Sequence, residues 1–150
     1  PRATIVRVAS TNAVRIVMPS RVAIVLTVIS IVAAGSAMAF DLEAHRGGRA
    51  LLPENTLPAF ASALTIGVDT LELDVGITAD GEVIVSHERG LNPDLARDRN
   101  GAYIAPTGTP FVKLRLEDVR TYDVGQIRPD SSYARQFPDQ RAMPGTRIPT

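Results

Sequence analysis

His45 and His87 are the two histidines of the 150-residue chain, and each stands beside a charged residue, in His45-Arg46-Gly47-Gly48 and His87-Glu88. Imidazole exchanges protons near neutral pH, so a histidine facing a pocket suits general acid or base work. Between the two lies Glu72-Leu73-Asp74. Residues two apart on a strand point to one face, and two carboxylates aimed into one pocket repel each other unless a cation sits between them. A hard divalent ion with oxygen ligands, Ca²⁺ or Mg²⁺, meets that need. Each feature also has an ordinary explanation. A lone histidine at a strand end is more often a hydrogen-bonded structural residue, and a Glu-x-Asp pair is more often an exposed face. Pro53-Glu54-Asn55-Thr56 could simply start a helix, and Arg46 could be a loop charge. Leu71, Leu73 and Val75, on the face opposite the carboxylates, predict a buried strand instead.

The elements that must position these residues can be read coarsely. Phe40–His45 predicts a short strand. Thr56–Ile66 places Leu57, Phe60, Ala61 and Leu64 on one helical face, with Asn55 as N-cap and Gly67 as the stop. Thr70–Val75 and Glu82–His87 predict two further strands around the turn Ala79-Asp80-Gly81. Residues 88–110 lose any periodic pattern, Leu116–Tyr122 predicts a short helix, and residues 123–150 read mostly as loop. The chemically capable residues are then concentrated toward the strand ends, the edge where active-site groups gather in parallel α/β barrels and sheets.

Charge is unevenly placed. Arg2, Arg7, Arg15 and Arg21 precede Phe40, whereas all 16 acidic residues follow it; the remaining 12 basic residues leave that later region near −4. No basic stripe is available to follow a phosphate backbone, which excludes nucleic acid as a partner. Residues 22–34 form an uninterrupted run of apolar and small residues behind Arg21 and lead to Ala37-Met38-Ala39. This predicts a signal peptide cleaved after Ala39, with Met18 as a possible true start; a membrane anchor is the alternative. With no cysteine, the mature product has no disulfide, and the expected location is periplasmic or secreted, with no stable membrane anchor after cleavage.

Taken in order, His45-Arg46-Gly47, Pro53-Glu54-Asn55-Thr56, Glu72-Leu73-Asp74-Val75, Asp80-Gly81 and Val85-Ser86-His87 resemble the opening half of the glycerophosphodiester phosphodiesterase family. The resemblance runs from Glu43 to His87 and, less specifically, through Asn92-Pro93-Asp94 and Tyr122-Asp123-Val124-Gly125. It implies an α/β fold of the TIM-type (β/α)8 barrel kind, of which only the N-terminal part is expected here, because such a barrel needs about 250 residues. It implies metal-dependent hydrolysis of a small-molecule glycerophosphodiester to an alcohol and glycerol 3-phosphate. His45 and His87 would be the acid–base pair, Glu72 and Asp74 the ligands of Ca²⁺ or Mg²⁺, Arg46 a phosphate contact and Glu54 part of the supporting polar network. Two departures stand out. Glu88 replaces the Asp that often follows the second histidine, and the chain stops before the later strand that supplies a further metal carboxylate in the family. Two alternatives stay open: a related barrel phospholipase acting on membrane lipids, and a truncated periplasmic binding module without catalysis. An aromatic content of 5% and the absence of Trp speak mildly against docking on a bilayer.

Overall fold

The structure is a computed structural model that describes residues 40–150, so the expected signal segment and cleavage site lie outside the described residues. Strand β1 (Glu43–Ala44) pairs in parallel with β2 (Thr70–Leu71), in the register Glu43 to Thr70 and Ala44 to Leu71. Parallel neighbours need a crossover of a dozen or more residues. Here it contains a 3₁₀ turn at His45–Gly47 and helix α1 (Leu57–Ile66).

Helix α1 begins one residue later than the sequence suggested. Thr56, not Asn55, is the N-cap: its hydroxyl accepts the Ala59 N–H at 3.4 Å. Asn55 has φ +53°, a left-handed conformation that Asn tolerates but an N-cap does not use. The helix ends as expected at Gly67, whose N–H reaches the carbonyls of Ala63 and Leu64. The buried face differs from the expected one. It is made by Ala59, Phe60 and Ala63, while Leu57 and Leu64 are 67% and 61% exposed. Ala59 and Phe60 take this face because they lie directly against Gly47 of the His45–Gly47 turn.

The expected strand over 70–75 is two strands. After β2 the chain leaves the parallel ladder and starts β3 (Val75–Ile77), which pairs with β4 (Val83–Val85) in an antiparallel hairpin. Only residues 78–82 separate the two, too few for a parallel crossover. Thr78 closes the turn, donating its N–H to Glu82 O at 3.0 Å and its hydroxyl to Asp80 Oδ1 at 2.6 Å. The strand face expected to be buried is open at Val75 and only half-buried at Leu71 and Leu73. The two sheets have two strands each, and the described residues close no barrel.

Ile84 of β4 is fully buried against Leu91, Ala96, Phe111, Val119 and Ile148. All of this core but Ile84 comes from after His87, with Leu91 and Ala96 supplied by the stretch without periodicity. Each such large apolar side chain contributes about 1.5–3 kcal/mol when fully buried. The long loops that deliver them are tied by paired backbone bonds, among them Arg97 N–H to Asp123 O and Asp123 N–H to Arg97 O. Helix α2 (Leu116–Val119) is shorter than expected, and α3 (Ser132–Gln136), capped by the Ser131 hydroxyl, stands in a region expected to be mostly loop. Among the described residues no helix is long and apolar enough to cross a membrane.

Candidate active site

The two pairings bring the chemically capable residues together from different directions. Because β1 and β2 run in parallel, the residues that follow them stay adjacent. Glu72 N–H donates to Ala44 O at 3.1 Å, and the Glu72 carboxylate accepts the Arg46 backbone N–H at 2.8 Å. His45 Nε2 lies 4.0 Å from the same Glu72 Oε2, with its side chain 52% exposed. The antiparallel hairpin does the rest. It returns the end of β4 to the start of β3, where Ser86 N–H donates to Asp74 O at 2.9 Å, so His87 emerges close to Asp74 in the chain fold.

Arg46 is the hub. It is 9% exposed and takes φ +51°, a left-handed conformation that costs an L-residue about 1–2 kcal/mol. Its contacts hold it there. Nη1 donates to both oxygens of Glu54, at 3.1 and 3.3 Å, and Nε lies 3.5 Å from Asp74 Oδ2 without forming a hydrogen bond. Nη2 has no protein acceptor among the described residues and remains the nitrogen through which a ligand can be met. Asn55 locks the arrangement, donating Nδ2–H to Asp74 Oδ2 at 3.3 Å and accepting Asp74 N–H on Oδ1 at 3.4 Å. Its left-handed backbone, useless for a cap, turns the side chain toward the carboxylate.

Glu54 is buried, and burial raises its pKa above the usual carboxylate value; Arg46, by charge and hydrogen bond, pulls the other way without cancelling the effect. His87 lines a small cavity with Glu54, Asn55, Ser86 and Glu88. Its Nδ1 lies 3.1 Å from Glu88 Oε1, so the longer acid at this position still reaches the ring and leaves Nε2 facing outward from that pair. Tyr133 on α3 was not singled out from the sequence. Its hydroxyl hydrogen-bonds Glu54 Oε2 across 79 positions, a contact with no local signal in the chain.

Glu72 and Asp74 fit a hard cation in donor type. Their recorded hydrogen bonds and ion pairs fall on Oε2 and Oδ2, leaving the second oxygen of each uncommitted. Among the described residues no group of three or more His, Asp or Glu side chains is arranged to hold a metal ion. The pair therefore offers part of a ligand set, since Ca²⁺ takes six to eight oxygens and Mg²⁺ six.

Residues 45–150 match the sequence model of the Glycerophosphoryl diester phosphodiesterase family. The chain belongs to this family. The glycerophosphodiester phosphodiesterase of Caldanaerobacter subterraneus subsp. tengcongensis is 36% identical over 108 residues, covering 71% of this chain and 35% of the relative. A lysophospholipase D of Rattus norvegicus is 55% identical over 47 residues, covering 31% and 15%. In structure, a putative glycerophosphoryl diester phosphodiesterase of Silicibacter pomeroyi superimposes with a TM-score of 0.74 at 36% identity, over 77% of this chain and 39% of that one. The chain thus spans about a third of the length of the first of these relatives. The family match covers every residue singled out from the sequence: His45, Arg46, Glu54, Glu72, Asp74 and His87.

Proposed function

We propose that the full-length protein is a metal-dependent glycerophosphodiester phosphodiesterase that releases an alcohol and glycerol 3-phosphate from a small-molecule diester. The observation that carries this reading is the Glu72–Arg46–Glu54–Asp74 cluster joining the two strand ends that bear His45 and His87. Family membership and the named activity of the Caldanaerobacter relative support it. A TIM-type barrel completed by the remainder of a longer protein is part of the proposal. So is export, on the strength of the Arg21-flanked apolar run and the Ala37-Met38-Ala39 ending.

Nη2 of Arg46 would bind a phosphate oxygen, its net field moderated by Glu54 and Asp74. Glu72 and Asp74 would hold Ca²⁺ or Mg²⁺ together with further oxygens; the bound ion would supply charge stabilisation at the phosphoryl group. One imidazole takes the proton of the attacking hydroxyl, either water, which gives glycerol 3-phosphate directly, or the neighbouring glycerol hydroxyl, which gives a cyclic phosphate that water opens in a second step through the same two groups. As the P–O bond to the alcohol breaks, the other imidazole gives its proton to the departing oxygen. Such transfers are worth roughly 10²–10⁴-fold in rate. His87 is pre-oriented for this by Glu88, which fixes Nδ1.

The test is release of glycerol 3-phosphate from glycerophosphocholine by the full-length protein, with and without added Ca²⁺ or Mg²⁺, beside His45→Ala and His87→Ala. Metal-dependent release that falls at least about a hundredfold in each variant is expected; turnover within a few-fold of wild type in either variant would sink the assignment of roles. A second reading, hydrolysis of lysophospholipids, is favoured by the 55% identity to the rat lysophospholipase D over 47 residues. Lysophosphatidylcholine in the same assay separates the two by relative kcat/KM.

A further inference from the structure

We infer that Tyr133 is a positioning residue for the phosphate contact, acting through Glu54 to aim Arg46; this rests on the reading of Arg46 given above. Arg46 has three points of attachment to a ligand or the protein, and two are taken: Nη1 by Glu54 and the flank of Nε by Asp74. The direction of Nη2 therefore depends on where the Glu54 carboxylate sits. That carboxylate is buried, and besides Arg46 its side-chain hydrogen-bond partner is the Tyr133 hydroxyl. A buried acid held by one flexible donor can rotate; a second donor on Oε2 removes that freedom.

The segment that carries Tyr133 is fastened to the same loop at several places. The Tyr133 ring meets Phe137 edge-on at 5.1 Å, and the Arg49 guanidinium lies over the Phe137 ring at 5.0 Å. Gln140 Nε2 donates to Arg49 O at 2.6 Å, and Arg141 N–H donates to Leu51 O at 3.0 Å. Residues 131–141 thus clasp residues 46–54, and Tyr133 is the point where the clasp reaches the cluster. Ser131 sets the orientation of α3 by accepting the Ala134 N–H at 3.0 Å.

Tyr133→Phe in the full-length protein removes the hydroxyl and keeps the ring against Phe137. A rise of about tenfold in both the KM for glycerophosphocholine and the inhibition constant of glycerol 3-phosphate is expected, the scale of one charge-assisted hydrogen bond, with kcat little changed and the thermal midpoint lowered by no more than the loss of that one bond. In an Arg46→Lys background the same substitution should add nothing. Additive losses, or a lowered thermal midpoint with KM unchanged, would make Tyr133 a purely structural residue. A readout independent of turnover is the Arg46 Nη1–H signal in ¹H–¹⁵N spectra, from the group that donates to Glu54. It should be slow to exchange in the wild type and faster in Tyr133→Phe. An identical signal in both overturns the inference, even if the wild type hydrolyses no glycerophosphodiester and the functional reading fails separately.

Discussion

Replacing Gly47 by alanine probes the contact that seats the arginine turn on α1. Gly47 has φ +77°, and a Cβ there would lie 2.8 Å from Phe60 Cδ1, 3.0 Å from Cε1 and 3.1 Å from Ala59 Cβ. Two costs add. Left-handed backbone costs an L-residue about 1–2 kcal/mol, partly offset by about 0.4–1 kcal/mol because alanine narrows the unfolded ensemble. Forcing the Phe60 ring aside in a packed contact costs about 1–3 kcal/mol more. Gly48 supplies the internal control. Its φ is +88°, yet nothing lies within 4 Å of a Cβ placed there. Gly48→Ala therefore carries the backbone cost alone, about 1 kcal/mol, against about 2–4 kcal/mol for Gly47→Ala. Urea unfolding of the two full-length variants, at unchanged m-value, measures the difference. Adding Phe60→Leu should recover part of the loss in Gly47→Ala only. Equal losses at the two glycines would show that the turn is not seated tightly on Phe60, and the account of which face α1 buries would fall with it.

Other outcomes follow from the same geometry. Glu88→Ala should change stability by less than about 0.5 kcal/mol, because the pair is exposed, while turnover falls several-fold as His87 loses its orienting partner; unchanged kcat would remove that role. Asp123 is held below the usual carboxylate pKa: burial works against its charge, but the N–H groups of Gly125 and Gly145 and the Arg97 guanidinium outweigh it. A depressed folded pKa means a stabilising contribution present above the unfolded value of about 3.9 and lost as pH falls through the folded one. Asp123→Asn should therefore cost about 1.5–3 kcal/mol near neutral pH, with the gap to wild type closing below about pH 4 in pH-dependent urea unfolding. Chelation of divalent ions should abolish hydrolysis by the full-length protein, and Ca²⁺ or Mg²⁺ should restore it; full activity in chelator would refute the role given to Glu72 and Asp74.

The candidate site was legible in the sequence because the chain has two histidines and each closes a segment that reads as a strand. Two histidines, one Glu-x-Asp pair and the Arg-Gly-Gly turn carried enough chemistry to be singled out, and the family match spans all of them. The α1 stop at Gly67 and the turn at Asp80-Gly81 were legible for a local reason, since positive φ is needed there and glycine supplies it. What tertiary structure decided was direction and partnership. Whether β4 runs parallel or antiparallel to its neighbour depends on which edge it meets, and the short 78–82 connection chose the hairpin. The core contributed by Leu91, Ala96, Phe111 and Ile148 has no period because irregular backbone delivers it. Asn55 read as a cap until Asp74, 19 positions away, claimed its side chain. Tyr133 left no mark at all, since a hydrogen bond between residues 79 apart exists only once the loops between them are folded.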